Sequence, residues 1–146
     1  DGAGYRHPNR DPTAQPSAGM MRMRRIVTGS TVATTRNFLK RRVKDQSLVT
    51  DAWAEEAFHM WLNSARAISD MLGEGGDVTE EEMKTITVPT LIVWGREDGA
   101  FPLKNADRLE ADIAGSVKVV FDNTGHLPQI EQPDAFNRVV LDFLAK

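Results

Sequence analysis

Residues 91–128, LIVWGREDGAFPLKNADRLEADIAGSVKVVFDNTGHLP, constrain the fold more than any other stretch of the chain. TLIVW and VKVVF are short β-rich apolar runs, the kind that a parallel sheet buries on both faces. Between them PLKNADRLEADIAG reads as a helix, with Pro102 in its first turn and Gly115 past its end. The three pieces form a strand-helix-strand unit, whose strands should run parallel through a right-handed crossover. In open parallel sheets, functional groups collect in the loops beyond the carboxyl ends of the strands. Asp98 and His126 both fall there, one after each strand.

A carboxylate that accepts a hydrogen bond from one imidazole nitrogen fixes the tautomer and stabilises the protonated ring, leaving the other nitrogen to take a proton from a nucleophile. Asp98 and His126 are thus candidates for the acid and base of a catalytic triad. Taken singly, each has a plainer reading: Asp98 closes the turn after Gly95, and His126 is a satisfied loop histidine beside Gly125. Their shared placement, each just beyond an apolar strand with one helix between, favours the catalytic reading.

The remaining segments read mostly as helix. The first 19 residues hold three prolines and three glycines and no sustained apolar period, so 1–19 is expected to be an irregular leading segment. GMMRMRRIV, TTRNFLKRRV and TDAWAEEAFHMWLNSARAISDML follow, the last capped by Thr50 or Asp51. In that long helix Trp53, Ala57, Phe58, Trp61, Leu62, Ala65, Ile68 and Leu72 recur every three or four positions and mark an apolar face. Such a stripe more often faces a core than a pocket. Gly73, Gly75 and Gly76 end it, Asp77 or Thr79 caps a short helix TEEEMKTI, and Pro133 opens a final helix, DAFNRVVLDFLAK, striped by Phe136, Val139, Val140, Phe143 and Leu144.

Composition narrows the function classes. With no cysteine there is no disulfide, thiolate metal site or cysteine nucleophile, which suits a reducing compartment; cytoplasm is the expected location. His7, His59 and His126 show no ligand spacing, so no metal or other cofactor is expected. No apolar run approaches a membrane span or the core of a signal peptide, so no membrane partner is expected. The net charge of -3 hides a basic stretch, residues 22–44, with eight Lys and Arg and no acid. With Phe38 its sole aromatic residue, that stretch reads as a solvated helix face rather than a nucleic-acid surface.

GREDGAFP together with TGHLPQIEQPDAFNRVVLDFL resembles the last part of the α/β-hydrolase fold, in which a G-x-x-D-x-x-x-P turn supplies the triad acid and a G-H turn the base, in that order. Within that fold, DQSLVTDAWAEEAFHMW, VPTLIVWGREDGAFPL and PDAFNRVVLDFL look most like the meta-cleavage-product hydrolases, which split a carbon-carbon bond in ring-opened products of aromatic degradation. The likeness implies an α/β chain holding a partial α/β-hydrolase fold. Residues 20–85 would be the helical lid, and 86–146 the last two parallel strands with their flanking helices. It further implies a small-molecule substrate, Asp98 and His126 as catalytic residues, and Ala100, Phe101 and Leu127 bordering the reacting centre. Phe58 would line or support the cavity.

Two positions depart from the carbon-carbon hydrolases: Ala57 stands where they carry an arginine before an aromatic residue, and Leu127 where tryptophan often follows the histidine. The nucleophile is also missing, since none of Ser17, Ser30, Ser47, Ser64, Ser69 and Ser116 lies in a G-x-S-x-G elbow. Alone, the chain should be inactive. Its partner would be the N-terminal hydrolase core or, through its open sheet edge, a second copy of itself. An esterase-like fragment and a non-catalytic, self-associating binding module remain the alternatives.

Overall fold

The structure, a computed structural model, describes residues 29–73 and 79–145. The expectations for 1–19, for GMMRMRRIV, for the glycine stop at 75 and 76 and for Asp77 as a cap lie outside these residues, as do those for the side chains of Ala65, Ile68 and Leu72.

Two helices open the described part. α1 (Val32–Lys40) begins with a capping box, Thr31 and Thr34 each accepting a hydrogen bond from the other's backbone N–H. A loop with a single 3-10 turn at Gln46–Leu48 then leads into α2 (Asp51–Gly73). Thr50 is its cap: its hydroxyl accepts from the N–H of Trp53 at 3.1 Å and its carbonyl from that of Ala54. α1 packs on α2 around Leu39, Val43, Val49, Ala54 and Ala57, all buried, with Val32, Phe38, Trp53 and Leu127 against them. Of the residues that the periodicity places on the apolar face, Ala57 is buried and Leu62 is half exposed, whereas Ala54, outside that set, has no exposed surface. Small residues let the two helices approach, and the aromatic rings of Phe38 and Trp61 meet edge to face at 5.0 Å on the rim.

α3 (Glu80–Lys84) is capped by Thr79, whose hydroxyl and backbone N–H pair reciprocally with Glu82. Next come β1 (Leu91–Gly95), α4 (Lys104–Asp112) and β2 (Val117–Phe121), the expected strand-helix-strand unit. β1 and β2 pair in parallel, Leu91 opposite Val117 and Gly95 opposite Phe121. α4 rests on both strands, with Ile92, Ala106, Ile113 and Phe121 buried. The strands are not covered on both faces by the described residues: Val117 is exposed, and Leu91, Val93, Trp94, Val119 and Val120 are only partly buried. α5 (Pro128–Glu131) and α6 (Pro133–Leu144) close the chain, both started by a proline, and α6 buries none of its residues, Leu144 being 72% exposed.

Candidate active site

β1 ends in a tight turn, in which the Asp98 N–H bonds to the Gly95 carbonyl at 3.3 Å. The backbone of Asp98 thus closes the turn, while its side chain does something else. One carboxylate oxygen accepts the N–H groups of Ala100 (2.7 Å) and Phe101 (3.0 Å); the other lies 2.8 Å from Nδ1 of His126. The Asp98 side chain is 4% exposed and the His126 side chain 34%. Because an ionised carboxylate can only accept, it selects the tautomer with hydrogen on Nδ1 and leaves the lone pair of Nε2 available. Trp94 braces the acid loop, its indole N–H donating to the Phe101 carbonyl at 3.2 Å. The Phe101 ring lies 5.4 Å from the imidazole.

The loop carrying His126 leaves β2 through Asn123, whose φ of 54° is one of the few left-handed conformations a residue with a short polar side chain tolerates. It is then fastened to the acid loop. The Glu97 N–H donates to the Thr124 carbonyl (3.0 Å), and the Glu97 carboxylate accepts from the Thr124 N–H (2.9 Å). Thr124 is fully buried, and the Gln132 amide donates to its hydroxyl (2.6 Å) and to the Asp122 carbonyl (2.7 Å). Gly95 is obligatory here: a Cβ on it would stand 1.8 Å from the carbonyl oxygen of Gly125.

A third loop, residues 41–45 after α1, lies against both. The His126 N–H donates to the Arg42 carbonyl at 2.6 Å, and a Cβ on Gly99 would come within 3.3 Å of the Arg41 carbonyl. The Arg42 guanidinium lies over the Phe38 ring, 4.4 Å from its centroid. Burial pushes its pKa down, opposed by the nearby Asp98 carboxylate. Nothing in the basic run singled out Arg42, because a loop-to-loop contact across 84 positions leaves no periodic trace. Among the described residues no cluster of His, Asp and Glu could hold a metal, and no helix is long and apolar enough to cross a membrane.

An acid and a base held in contact beyond adjacent parallel strands, in the order acid then histidine, define the end of one well-populated fold. The family described as alpha/beta hydrolase fold matches residues 31–133. The chain belongs to the α/β-hydrolase family. It is 32% identical over 142 residues to a 2-hydroxy-6-oxononadienedioate/2-hydroxy-6-oxononatrienedioate hydrolase of Comamonas testosteroni, covering 91% of this chain and 49% of that protein. Among solved structures, a meta-cleavage product hydrolase from Pseudomonas fluorescens superposes with a TM-score of 0.74 at 31% identity, over 97% of this chain and 52% of that one. A bromoperoxidase from Bacillus anthracis, at 18% identity, shares the fold alone, with a TM-score of 0.75 over 98% of this chain and 54% of its own. The chain spans about half the length of the curated relatives it matches.

Against this α/β-hydrolase frame the remaining candidate positions separate. Ala100 and Phe101 sit in the acid loop and bind Asp98 through their backbones. Leu127 turns from the histidine toward the helical cluster of α1 and α2 and packs there. Phe58 is partly buried, and its ring contact is with His59, 5.5 Å away, rather than with Asp98 or His126.

Proposed function

We propose that this chain forms the lid and C-terminal part of a serine-type hydrolase that cleaves a carbon-carbon bond in ring-cleavage products of aromatic degradation. The carrying observation is the 2.8 Å contact between His126 Nδ1 and Asp98, in a carboxylate already oriented by two backbone N–H groups. The substrate class comes from the printed names of the relatives. In this reading residues 1–19 lead into the lid, 20–85 form it, and 86–146 supply the acid and base. A serine from another segment of the hydrolase is the nucleophile. His126 Nε2 takes its proton, and Asp98 stabilises the resulting imidazolium. With a dienol substrate His126 first helps move a proton so that the enol becomes a ketone, after which the carbon-carbon bond can break. His126 then returns a proton to the leaving carbon, and a water molecule deprotonated by the same imidazole attacks the acyl group, which leaves the serine as the imidazolium gives its proton back to the serine oxygen. Ala100, Phe101, Leu127 and Phe58 border the cavity. No cofactor takes part, and a cysteine-free chain suits the cytoplasm.

Ala57 favours a second reading as an esterase, because it is buried among Leu39, Val43, Val49 and Ala54 and offers no positive charge to a substrate carboxylate. Arg42 is the cation beside Asp98 instead. The third reading, a self-associating binding module, draws on the sheet of two strands. His126→Ala in the enzyme with its nucleophile in place separates these. A hydrolase should lose turnover by about 10³-fold or more with its melting temperature little changed. Unchanged turnover, or lost folding without a specific loss of turnover, would remove His126 from the mechanism. Comparing ring-cleavage products with simple esters as substrates then decides between the first two readings.

A further inference from the structure

Glu131, the last residue of α5, belongs to none of the roles above, yet its half-buried carboxylate joins two loops far apart in sequence. One oxygen accepts the Gly125 N–H at 2.7 Å and the other accepts the Lys44 N–H at 2.6 Å. Between these bonds the His126 N–H reaches the Arg42 carbonyl, also at 2.6 Å. The peptide before the catalytic base and the peptide at the base are therefore both tied to residues 42–44, directly or through one side chain. Space is tight as well. A Cβ on Gly125 would lie 2.6 Å from the Arg42 carbonyl oxygen, 3.0 Å from the Lys44 nitrogen and 3.1 Å from the Glu131 carboxylate.

We propose that Glu131 is a positioning residue for His126: its carboxylate clamps the loop of the base to the loop between α1 and α2, so that the base is in place only while residues 42–44 are docked. The inference rests on the reading of His126 as the base. Only a carboxylate satisfies this geometry, because both groups facing it are donors and an ionised carboxylate offers acceptors on both oxygens. A glutamine would present an NH₂ group to one of them and leave two donors opposed. Glu131 meets the backbone N–H of Lys44 rather than its ammonium, so the charge of Lys44 is dispensable to the clamp.

Hydrogen exchange and turnover, measured on the complete enzyme and two variants, test this. In the wild type, the amide protons of Gly125 and Lys44 should be protected from hydrogen exchange; free exchange of either overturns the clamp whether or not a substrate has been found. In Glu131→Gln, segments 42–45 and 123–127 should exchange roughly tenfold faster or more, as expected for lost bonds to a charged acceptor. kcat should fall by about 10²-fold through misplacement of the base, with KM changed far less. Lys44→Met should behave as wild type in both assays. Wild-type exchange in Glu131→Gln, a loss confined to KM, or an equal defect in Lys44→Met would each overturn the proposal. If no turnover of any substrate is found in the wild type, the hydrolase reading fails, while the exchange results still decide the clamp.

Discussion

Gly95 and Gly125 meet backbone to backbone, so that the end of β1 and the loop of the histidine pass with no room for a side chain: the missing Cβ of Gly95 would lie 1.8 Å from the Gly125 carbonyl oxygen and 2.5 Å from that of Thr124. Neither obstacle is a flexible side chain that could swing away. Gly95→Ala should therefore cost about 3 kcal/mol, the upper part of the range for overpacking, read from chemical denaturation. Gly115 is the control. Its φ of +76° favours glycine, but nothing lies within 4 Å of a Cβ there, and Gly115→Ala should cost only the left-handed strain of about 1–2 kcal/mol. Equal costs at the two positions would contradict the close approach.

Asp98→Asn should reverse the hydrogen-bond sense at His126. The N–H groups of Ala100 and Phe101 hold the acceptor oxygen of the amide, which turns the NH₂ toward Nδ1 and drives the ring proton to Nε2. Turnover in the completed enzyme should fall by about 10⁴-fold while stability changes little. Nitrogen NMR of the imidazole should show the exchanged tautomer, and an unchanged tautomer would refute this account.

Thr124→Val removes an oxygen and keeps the shape. Gln132 then donates to the Asp122 carbonyl alone, with its second N–H left facing a methyl group in a buried site. A loss of about 1–3 kcal/mol is expected, the range for an unsatisfied buried donor. A neutral substitution would mean that water reaches the Gln132 amide.

Introducing an arginine at position 57 should fail as a way of building a carboxylate site. Ala57 is 5% exposed and belongs to the cluster between α1 and α2. A guanidinium there is overpacked and stripped of water at once, and Ala57→Arg should cost about 3 kcal/mol or more. The check is urea denaturation, and an equally stable variant would show that α1 can move off α2.

The ion pairs of Glu80 set a pH signature. Its pKa lies below the ordinary value of 4.5, chiefly because Lys84 donates to it and, after that, Arg108. A lowered folded-state pKa contributes stability that is present above pH 4.5 and is lost as the pH falls through the lowered value. Lys84 shifts the other way, above its ordinary 10.5, so its share is present below that pH and fades as the pH rises through the raised value. The stability difference between wild type and Glu80→Gln should thus be flat near neutrality and shrink at both extremes. A difference growing toward acid would have the wrong sign.

The sequence displays the strand-helix-strand unit because each piece carries its own punctuation: β-branched runs for the strands, Pro102 before α4 and Gly115 after it. Asp98 and His126 are legible for the same reason, since a residue's place after a strand is a local property. What holds them is not local. Glu131 meets Lys44 across 87 positions and Arg42 meets His126 across 84, and the type of bond involved, a backbone N–H to an oxygen, imposes no residue pattern on one of its two ends. α5 is four residues long, too short to show a period, and Thr50 and Asp51 compete equally as caps until a hydrogen bond to Thr50 decides. Leu62 fits the spacing because it lies four residues after Phe58, but at about 100° per residue it stands roughly 80° round α2 from Ala54, at the edge of the buried face.

The acid and base loops are joined through peptide groups and the Glu97 carboxylate, and Glu131 and Gln132 anchor the base loop from its other side, whereas Leu127 and Phe58 take no part in these bonds. Selection could therefore exchange Leu127 and Phe58 for residues of other shape without disturbing the contact between Asp98 and His126. On the proposed function, a lineage built this way acquires new substrates by small steps, because the changes that alter what fits are separable from those that disable the reaction.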